Sequence, residues 1–318
     1  MNKKIFAIVV LLLIPLYFLL TQEVTVNIEE AEEITLPADL EQYLAESEAE
    51  FDDLVAGTEK KIKWFEQRGE KTELALVYLH GFSASRQETA PLADQLAEEL
   101  GANLFYTRLT GHGRSGEAMG ESSVNDWLKD AQEALEIARR IGEEVILIGT
   151  STGGTLASYL ALEAEQDDIL SLILLSPNYG VDSSLMGLAN YSWFRRLFPI
   201  FMPERSFEVD NSKHQRYWTS SYPVTAVFTM LDLLNLVKQS DLTKLYLPIQ
   251  IFYSPNDYVV SSEKIEQTFA EFASDKKQLV ALENVQDPSN HVVAGDILSP
   301  DNTEFVKNKI LQFILELN

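Results

Sequence analysis

Apolar runs alternate with stretches of helical periodicity from about residue 60 to the C-terminus. Residues 74–79, Leu-Ala-Leu-Val-Tyr-Leu, carry no charge, the pattern of a strand covered on both faces. Runs at 61–65, 103–108, 145–148, 170–175, 249–253 and 278–282 predict further strands. Between them, apolar residues return every three or four positions. That spacing predicts helices over 89–100, 124–141, a segment from about Gly154, 261–272, and a closing stretch to residue 318. Trp127, Ala131, Leu135 and Ala138 mark the buried stripe of the second of these. Strands alternating with helices predict an α/β fold, a mostly parallel central sheet with helices on both faces. In such sheets reactive groups gather at the carboxyl ends of the strands.

Two segments depart from the rhythm. Between 176 and 247 no clear strand is visible, yet aromatic residues crowd the stretch, among them Tyr191, Trp193, Phe198, Trp218 and Tyr222. We read a helical cap inserted at about 178–246, lying over the site. An apolar roof of this kind suits a substrate with a hydrophobic portion. Residues 23–59 are rich in acids and contain no Lys or Arg before Lys60. Leu40, Tyr43, Leu44, Phe51, Leu54 and Val55 recur there at helical spacing, so a short flexible stalk is expected to lead into an amphipathic helix over 38–54 that packs on the body. The domain proper then covers 60–318.

Charge narrows the partners. The 318 residues carry 25 Lys plus Arg against 49 Asp plus Glu, a net charge of −24. Phosphate binding needs cationic side chains, so nucleic acid is not expected as a partner, nor is an anionic bilayer surface. The chain has no cysteine, which excludes disulfides, thiol catalysis and thiolate metal sites. No cofactor or metal site is read from the sequence. Oligomeric state leaves no trace in it.

At the N-terminus, Lys3-Lys4 leads into sixteen uncharged residues, 5–20, interrupted by Pro15. As a helix they would span roughly 24 Å, a little short of a ~30 Å hydrocarbon core. Two readings are open, a signal-peptide core or a short uncleaved anchor within 1–22. The absence of a small-x-small cleavage site or a lipobox cysteine favours the anchor. With the lysines on the cytoplasmic side, the expectation is a membrane-anchored protein whose body faces out of the cytoplasm. Secretion after cleavage is the alternative.

The candidate chemistry centres on Gly149-Thr150-Ser151-Thr152-Gly153, between an apolar run and a helical pattern. G-x-S-x-G at a strand-to-helix turn is a nucleophile-elbow signature. Its glycines allow the sharp turn, and the serine stands above the sheet edge beside the positive end of the helix. Serine needs a base, itself oriented by an acid, and in this fold class the order along the chain is Ser, Asp or Glu, His. Of four histidines, His80 and His112 precede Ser151, and His214 lies within the presumed cap. His291, beyond the last strand, is the candidate base. Asp257, in the turn after 249–253, is the candidate acid; Asp287 and Asp296 read as turn or capping residues. Backbone N–H groups of Thr152 and of Phe82, in the turn after 74–79, are the candidate oxyanion donors. His80 reads as a structural hydrogen-bonding residue.

Leu79-His80-Gly81-Phe82, Gly111-His112-Gly113-Arg114-Ser115, the Ser151 elbow, Ser254-Pro255-Asn256-Asp257 and Asn290-His291-Val292-Val293 together resemble the α/β-hydrolase superfamily. The chain looks closest to bacterial carboxylesterases and monoacylglycerol lipases with a short cap. The resemblance implies hydrolysis of a small-molecule ester through an acyl-enzyme, with Ser151, Asp257 and His291 as the triad, and a structural His112. Other readings use the same residues. An aminopeptidase would need cap carboxylates for the substrate amine, and Glu204, Glu208, Asp210 and Asp232 are available. Acyl transfer to an acceptor other than water needs no further group. A non-catalytic binding protein is disfavoured by an intact triad.

Overall fold

The computed structural model describes residues 17, 20–29, 34–181 and 184–317. A helix α1 (Leu40–Glu48) opens the body, capped by Asp39. Strand β1 (Lys61–Lys63) and strand β2 (Thr72–Leu79) follow, then helix α2 (Leu92–Leu100), β3 (Asn103–Tyr106), a short α3 (Gly116–Glu121) and α4 (Val124–Ile141). Ser123 and Asp126 close a reciprocal capping box at the start of α4, which fixes where it begins. Next come β4 (Gly142–Thr150), α5 (Thr152–Glu163) and β5 (Ile169–Leu175). After the insertion, β8 (Ile249–Tyr253), a helix over Ser262–Glu271, β9 (Lys277–Ala281) and a last helix over Pro300–Leu315 complete the chain.

The seven strands lie in the order β1-β3-β2-β4-β5-β8-β9, parallel except for β1, which runs antiparallel to β3. The sheet divides the core into two layers, and β2 shows how. Ala75, Val77 and Leu79 pack with residues of α4 and α5, while Leu74, Leu76 and Tyr78 pack with α2 and the C-terminal helix. A strand buried on both faces has no polar side to alternate, which is why this one reads as an unbroken apolar run.

The insertion between β5 and β8 contains α6 (Ser184–Gly187), α7 (Ser192–Phe201), α8 (Ser212–Tyr217) and α9 (Thr225–Gln239). It also holds a two-stranded antiparallel ribbon, β6 (Glu204–Ser206) with β7 (Ser221–Pro223). The ribbon is absent from the sequence reading because three-residue strands carry no periodicity.

Helix α1 ends at Glu48, short of the predicted residue 54. Glu48 turns inward there to meet Arg108, with Nε–Oε2 and Nη2–Oε1 distances of 2.8 Å. Ahead of α1, the stretch read as a stalk lies against the body. The N–H of Val24 donates to Asn190 O at 2.8 Å, that of Ser192 to Gln22 O at 2.9 Å, and Trp193 Nε1 to Leu20 O at 3.0 Å. On α4, Asn125 donates to Asn27 O at 3.0 Å and accepts the N–H of Glu29 at 3.3 Å. Residues 20–29 thus join the insertion to the body.

The expectation of a membrane anchor is corrected. Spanning a bilayer takes about 20 consecutive apolar residues in a helix, and among the described residues no helix is long and apolar enough to cross a membrane. The helical residues described at this end stop at Thr21, and the chain continues extended along the insertion. The outward-facing placement that rested on the anchor goes with it. Most of the segment concerned, residues 1–16, 18 and 19, lies outside the described residues.

Candidate active site

Ser151 stands where β4 passes into α5, at φ 51° and ψ −119°, a conformation an L-residue holds only when its surroundings enforce it. The flanking glycines are required sterically. A Cβ on Gly149 would lie 2.5 Å from the carbonyl oxygen of Gly153, and one on Gly153 would lie 2.1 Å from that of Leu79. The N–H of Ser151 is anchored to Leu175 O at 2.8 Å.

His291 and Asp257 meet from separate loops at the carboxyl edge of the sheet. His291 Nδ1 lies 2.7 Å from Asp257 Oδ2, so an ionised Asp257 holds the ring proton on Nδ1 and leaves the lone pair on Nε2. The other carboxylate oxygen accepts the N–H groups of Val259 (2.7 Å) and Val260 (2.9 Å). Burial works against charging the imidazole, but the charge and hydrogen bond of Asp257, with Glu88 and Asp287 behind it, raise its pKa above the usual histidine value. No hydrogen bond joins Ser151 Oγ to the His291 ring; the two border one cavity. Such links commonly close only when substrate is bound.

The loop carrying His291 is fixed by residues the sequence did not single out for that work. Asp287 Oδ2 accepts the N–H groups of His291 (2.9 Å) and Val292 (2.8 Å) and the hydroxyl of Ser289 (2.6 Å). Ser176, just past β5, donates its hydroxyl to His291 O at 2.7 Å. Asp287 was legible only as a turn residue, and nothing about Ser176 in the sequence marks a partner 115 positions away.

Phe82 and Thr152, the two expected oxyanion donors, both border the cavity that Ser151 and His291 share. Among the described residues, neither the N–H of Phe82 nor that of Thr152 donates to a protein acceptor. His80 spans the turn below Phe82: its Nδ1 donates to Gly81 O at 2.9 Å, and its Nε2 accepts the N–H of Leu109 at 3.1 Å. Burial pushes its pKa down to about 4. His112 packs 5.0 Å from the His80 ring and 5.5 Å from Trp127.

Ser151, Asp257 and His291 border a cavity of about 900 Å³. Phe207, Trp218, Tyr222, Val227 and Met230 from the insertion form one wall, and Phe82, Val292 and Leu298 from the body form much of the other. Of the acids considered for an amine, Glu208 and Asp210 border the cavity, with Asp210 3.0 Å from His214 Nδ1. Asp232 is taken up by a two-pronged pair with Arg195 at 2.6 and 2.9 Å. Glu204 is exposed on β6 and is not among the lining residues.

Residues 70–286 match the family described as serine aminopeptidase, S33 (Hydrolase_4). The matched stretch includes Phe82, Ser151 and Asp257 and stops short of His291. A thermostable monoacylglycerol lipase of Bacillus sp. (strain H-257) is 25% identical over 233 residues, covering 73% of this chain and 88% of the lipase. A carboxylesterase of Bacillus subtilis (strain 168) is 22% identical over 238 residues, covering 73% and 92%. Among solved structures, that of the metagenome-derived lipolytic enzymes LipS and LipT superposes with a TM-score of 0.69 at 22% identity, covering 83% of this chain and 99% of that one. With the parallel sheet, the strained serine and a family match over more than half of its length, the chain belongs to the Hydrolase_4 family of α/β-hydrolases, on the side of its lipase and esterase relatives.

Proposed function

We propose that this ester hydrolase works through an acyl-enzyme on Ser151, and that its substrates carry a hydrophobic acyl or alcohol portion. The observation that carries the reading is the convergence of a strained serine and a histidine–aspartate pair on one cavity, to which the insertion contributes Phe207, Trp218, Tyr222, Val227 and Met230.

In the first step Ser151 Oγ attacks the ester carbonyl carbon, and its proton passes to His291 Nε2. Asp257 keeps the imidazole in the accepting tautomer and balances the imidazolium that forms. The carbonyl oxygen, now negative, takes the N–H groups of Phe82 and Thr152. Collapse expels the alcohol, which leaves with the proton from Nε2. Water repeats the sequence on the acyl group and restores Ser151.

The test is direct. Ser151→Ala should lower turnover of p-nitrophenyl esters by up to ~10⁶ without loss of fold, and a fluorophosphonate should label the wild type at Ser151. Full activity in the variant, or no label on folded protein, would remove Ser151 as the nucleophile. A profile across acyl chain lengths tests the hydrophobic preference.

A second reading is favoured by one observation, the carboxylates of Glu208 and Asp210 on the cavity wall, which suit an amine. Turnover of amino-acid arylamides ahead of esters would select it.

A further inference from the structure

Among the ionisable groups at the cavity that the triad mechanism does not use, Glu88 lies against the turn that carries Phe82. Glu88 is 2% exposed, yet it borders the cavity together with Ser151 and His291. Its Oε2 accepts the N–H of Gly81 at 2.7 Å and the hydroxyl of Tyr78 at 3.2 Å. The Tyr78 hydroxyl lies 3.0 Å from that of Thr150, the residue before Ser151. A Cβ built on Gly81 would stand 2.6 Å from Glu88 Oε1 and 3.2 Å from the Cβ of Ser151. The carboxylate therefore lies flat on the Gly81 backbone, on the side facing the serine. Gly81 has no side chain to keep it away.

We propose that Glu88 is a positioning residue, bracing the His80–Phe82 turn so that the N–H of Phe82 is aimed at the oxyanion, and setting the charge that His291 meets. This rests on the reading of Ser151, His291 and Phe82 given above. The brace follows from covalent geometry. Peptide planes are rigid: Glu88 holds the plane that ends in the Gly81 N–H, and His80 Nδ1 and the N–H of Ala84 hold the Gly81 oxygen of the next plane, which carries the Phe82 N–H. A hydrogen bond to a carboxylate is stronger than one to a neutral acceptor, and this one is enclosed. Preorganised donors are effective because they do not have to turn during the reaction.

The charge role follows from what surrounds the carboxylate. Tyr78 of β2 faces it, and His291 and Asp287, from the loop after β9, act on it through their charges. Burial pushes the pKa of Glu88 up to about 7. Near neutrality Glu88 thus passes between a neutral acid and an anion that favours the protonated form of His291.

Two substitutions separate the roles. Glu88→Leu removes the acceptor for Gly81 and should lower kcat about 10–100-fold, as a misaimed catalytic group does, with a much smaller change in KM. Affinity for a boronic acid, which mimics the tetrahedral state, should fall by a similar factor. Glu88→Gln keeps the shape and an acceptor but loses the charge. It should retain more of kcat than Glu88→Leu and move the acid limb of kcat/KM to lower pH, because His291 loses an anionic neighbour. A purely structural glutamate would not move that limb. Far-ultraviolet circular dichroism checks that both variants fold; should Glu88→Leu fail to, the limb in Glu88→Gln decides alone. A limb superimposable on wild type, or a folded Glu88→Leu with unchanged kcat and boronate affinity, overturns the proposal while an inactive Ser151→Ala leaves the nucleophile standing. Activity surviving in Ser151→Ala would sink both.

Discussion

Asp287 and His291 are joined through the backbone: the carboxylate of the first accepts the main-chain N–H of the second at 2.9 Å. The imidazole itself is held by a different acid, Asp257, at 2.7 Å. Two carboxylates thus serve one histidine, one carrying the loop and the other the ring.

Their substitutions should therefore fail in different ways. Asp257→Asn keeps a similar shape but favours the wrong tautomer, so kcat should drop by about 10⁴ with a small change in melting temperature. Asp287→Ala strands buried N–H groups, each costing about 1–3 kcal/mol, and should lower the melting temperature clearly. Paired esterase assays and thermal melts test this. Equal loss of stability in both variants would contradict the division of labour.

The pH dependence of activity follows from His291. In the proposed mechanism it must be neutral to accept the Ser151 proton, and its neighbours raise its pKa above the ordinary 6.5. The acid limb of kcat/KM should accordingly lie above 6.5. A limb below that value would mean that a different group is titrating. The same shift stabilises the fold fully below the unfolded pKa, and that contribution is lost as pH rises through the folded one.

Buried His80 and Glu88 should give stability opposite slopes. His80 titrates at about 4 in the fold against 6.5 unfolded, so between those values the unfolded chain binds the extra proton and stability falls as pH falls. Glu88 titrates at about 7 against 4.5; there the folded chain holds the proton, and stability falls as pH rises. Each is worth on the order of 3 kcal/mol across its window, so they largely offset each other. Urea titrations from pH 4.5 to 6.5 on Glu88→Gln should show stability rising with pH more steeply than in wild type. Parallel curves would refute the pairing.

The elbow tolerates no extra atom at Gly153. Its added Cβ would meet backbone, the Leu79 carbonyl at 2.1 Å, which cannot swing aside as a side chain can. Gly153→Ala should cost about 3 kcal/mol, the upper range for overpacking, and most of the activity. Denaturant midpoints together with fluorophosphonate labelling would show it. Near-native values for both would mean that strand and helix have room to part.

Helix α1 belongs to the body. Arg108 and Glu48 are almost fully enclosed, with side chains 5% and 9% exposed. Glu48→Ala leaves a buried guanidinium without its partner and should cost about 3–5 kcal/mol, whereas replacing both residues with apolar ones should be close to neutral. A chain starting at Lys60 should be destabilised in the same way as Glu48→Ala. Unfolding curves of the three proteins provide the check.

What could be read in the sequence depended on the range of the interactions involved. Interior strands such as β2 announce themselves because burial on both faces leaves a continuous apolar run, and the serine because its turn needs glycine at two fixed offsets. Asp257 and His291 were singled out by position in the chain, the first in the turn after β8 and the second in the loop beyond the last strand. Glu88 was not. It sits in Ser85-Arg86-Gln87-Glu88-Thr89, a polar stretch that reads as an exposed loop, and only folding brings it beneath the Gly81 turn. The end of α1 was missed for a similar reason, since the partner of Glu48 is 60 residues away.

The docking of residues 20–29 has a mechanical consequence. Leu20, Gln22 and Val24 grip the segment 190–193, while Asn27 and Glu29 are held by Asn125 on the sheet side. Tension on the chain ahead of Leu20 would reach Trp193 and Tyr191 before it reached the sheet. Residues 20–29 therefore tie the 190–193 stretch of the insertion to α4 through hydrogen bonds that involve no residue lining the cavity.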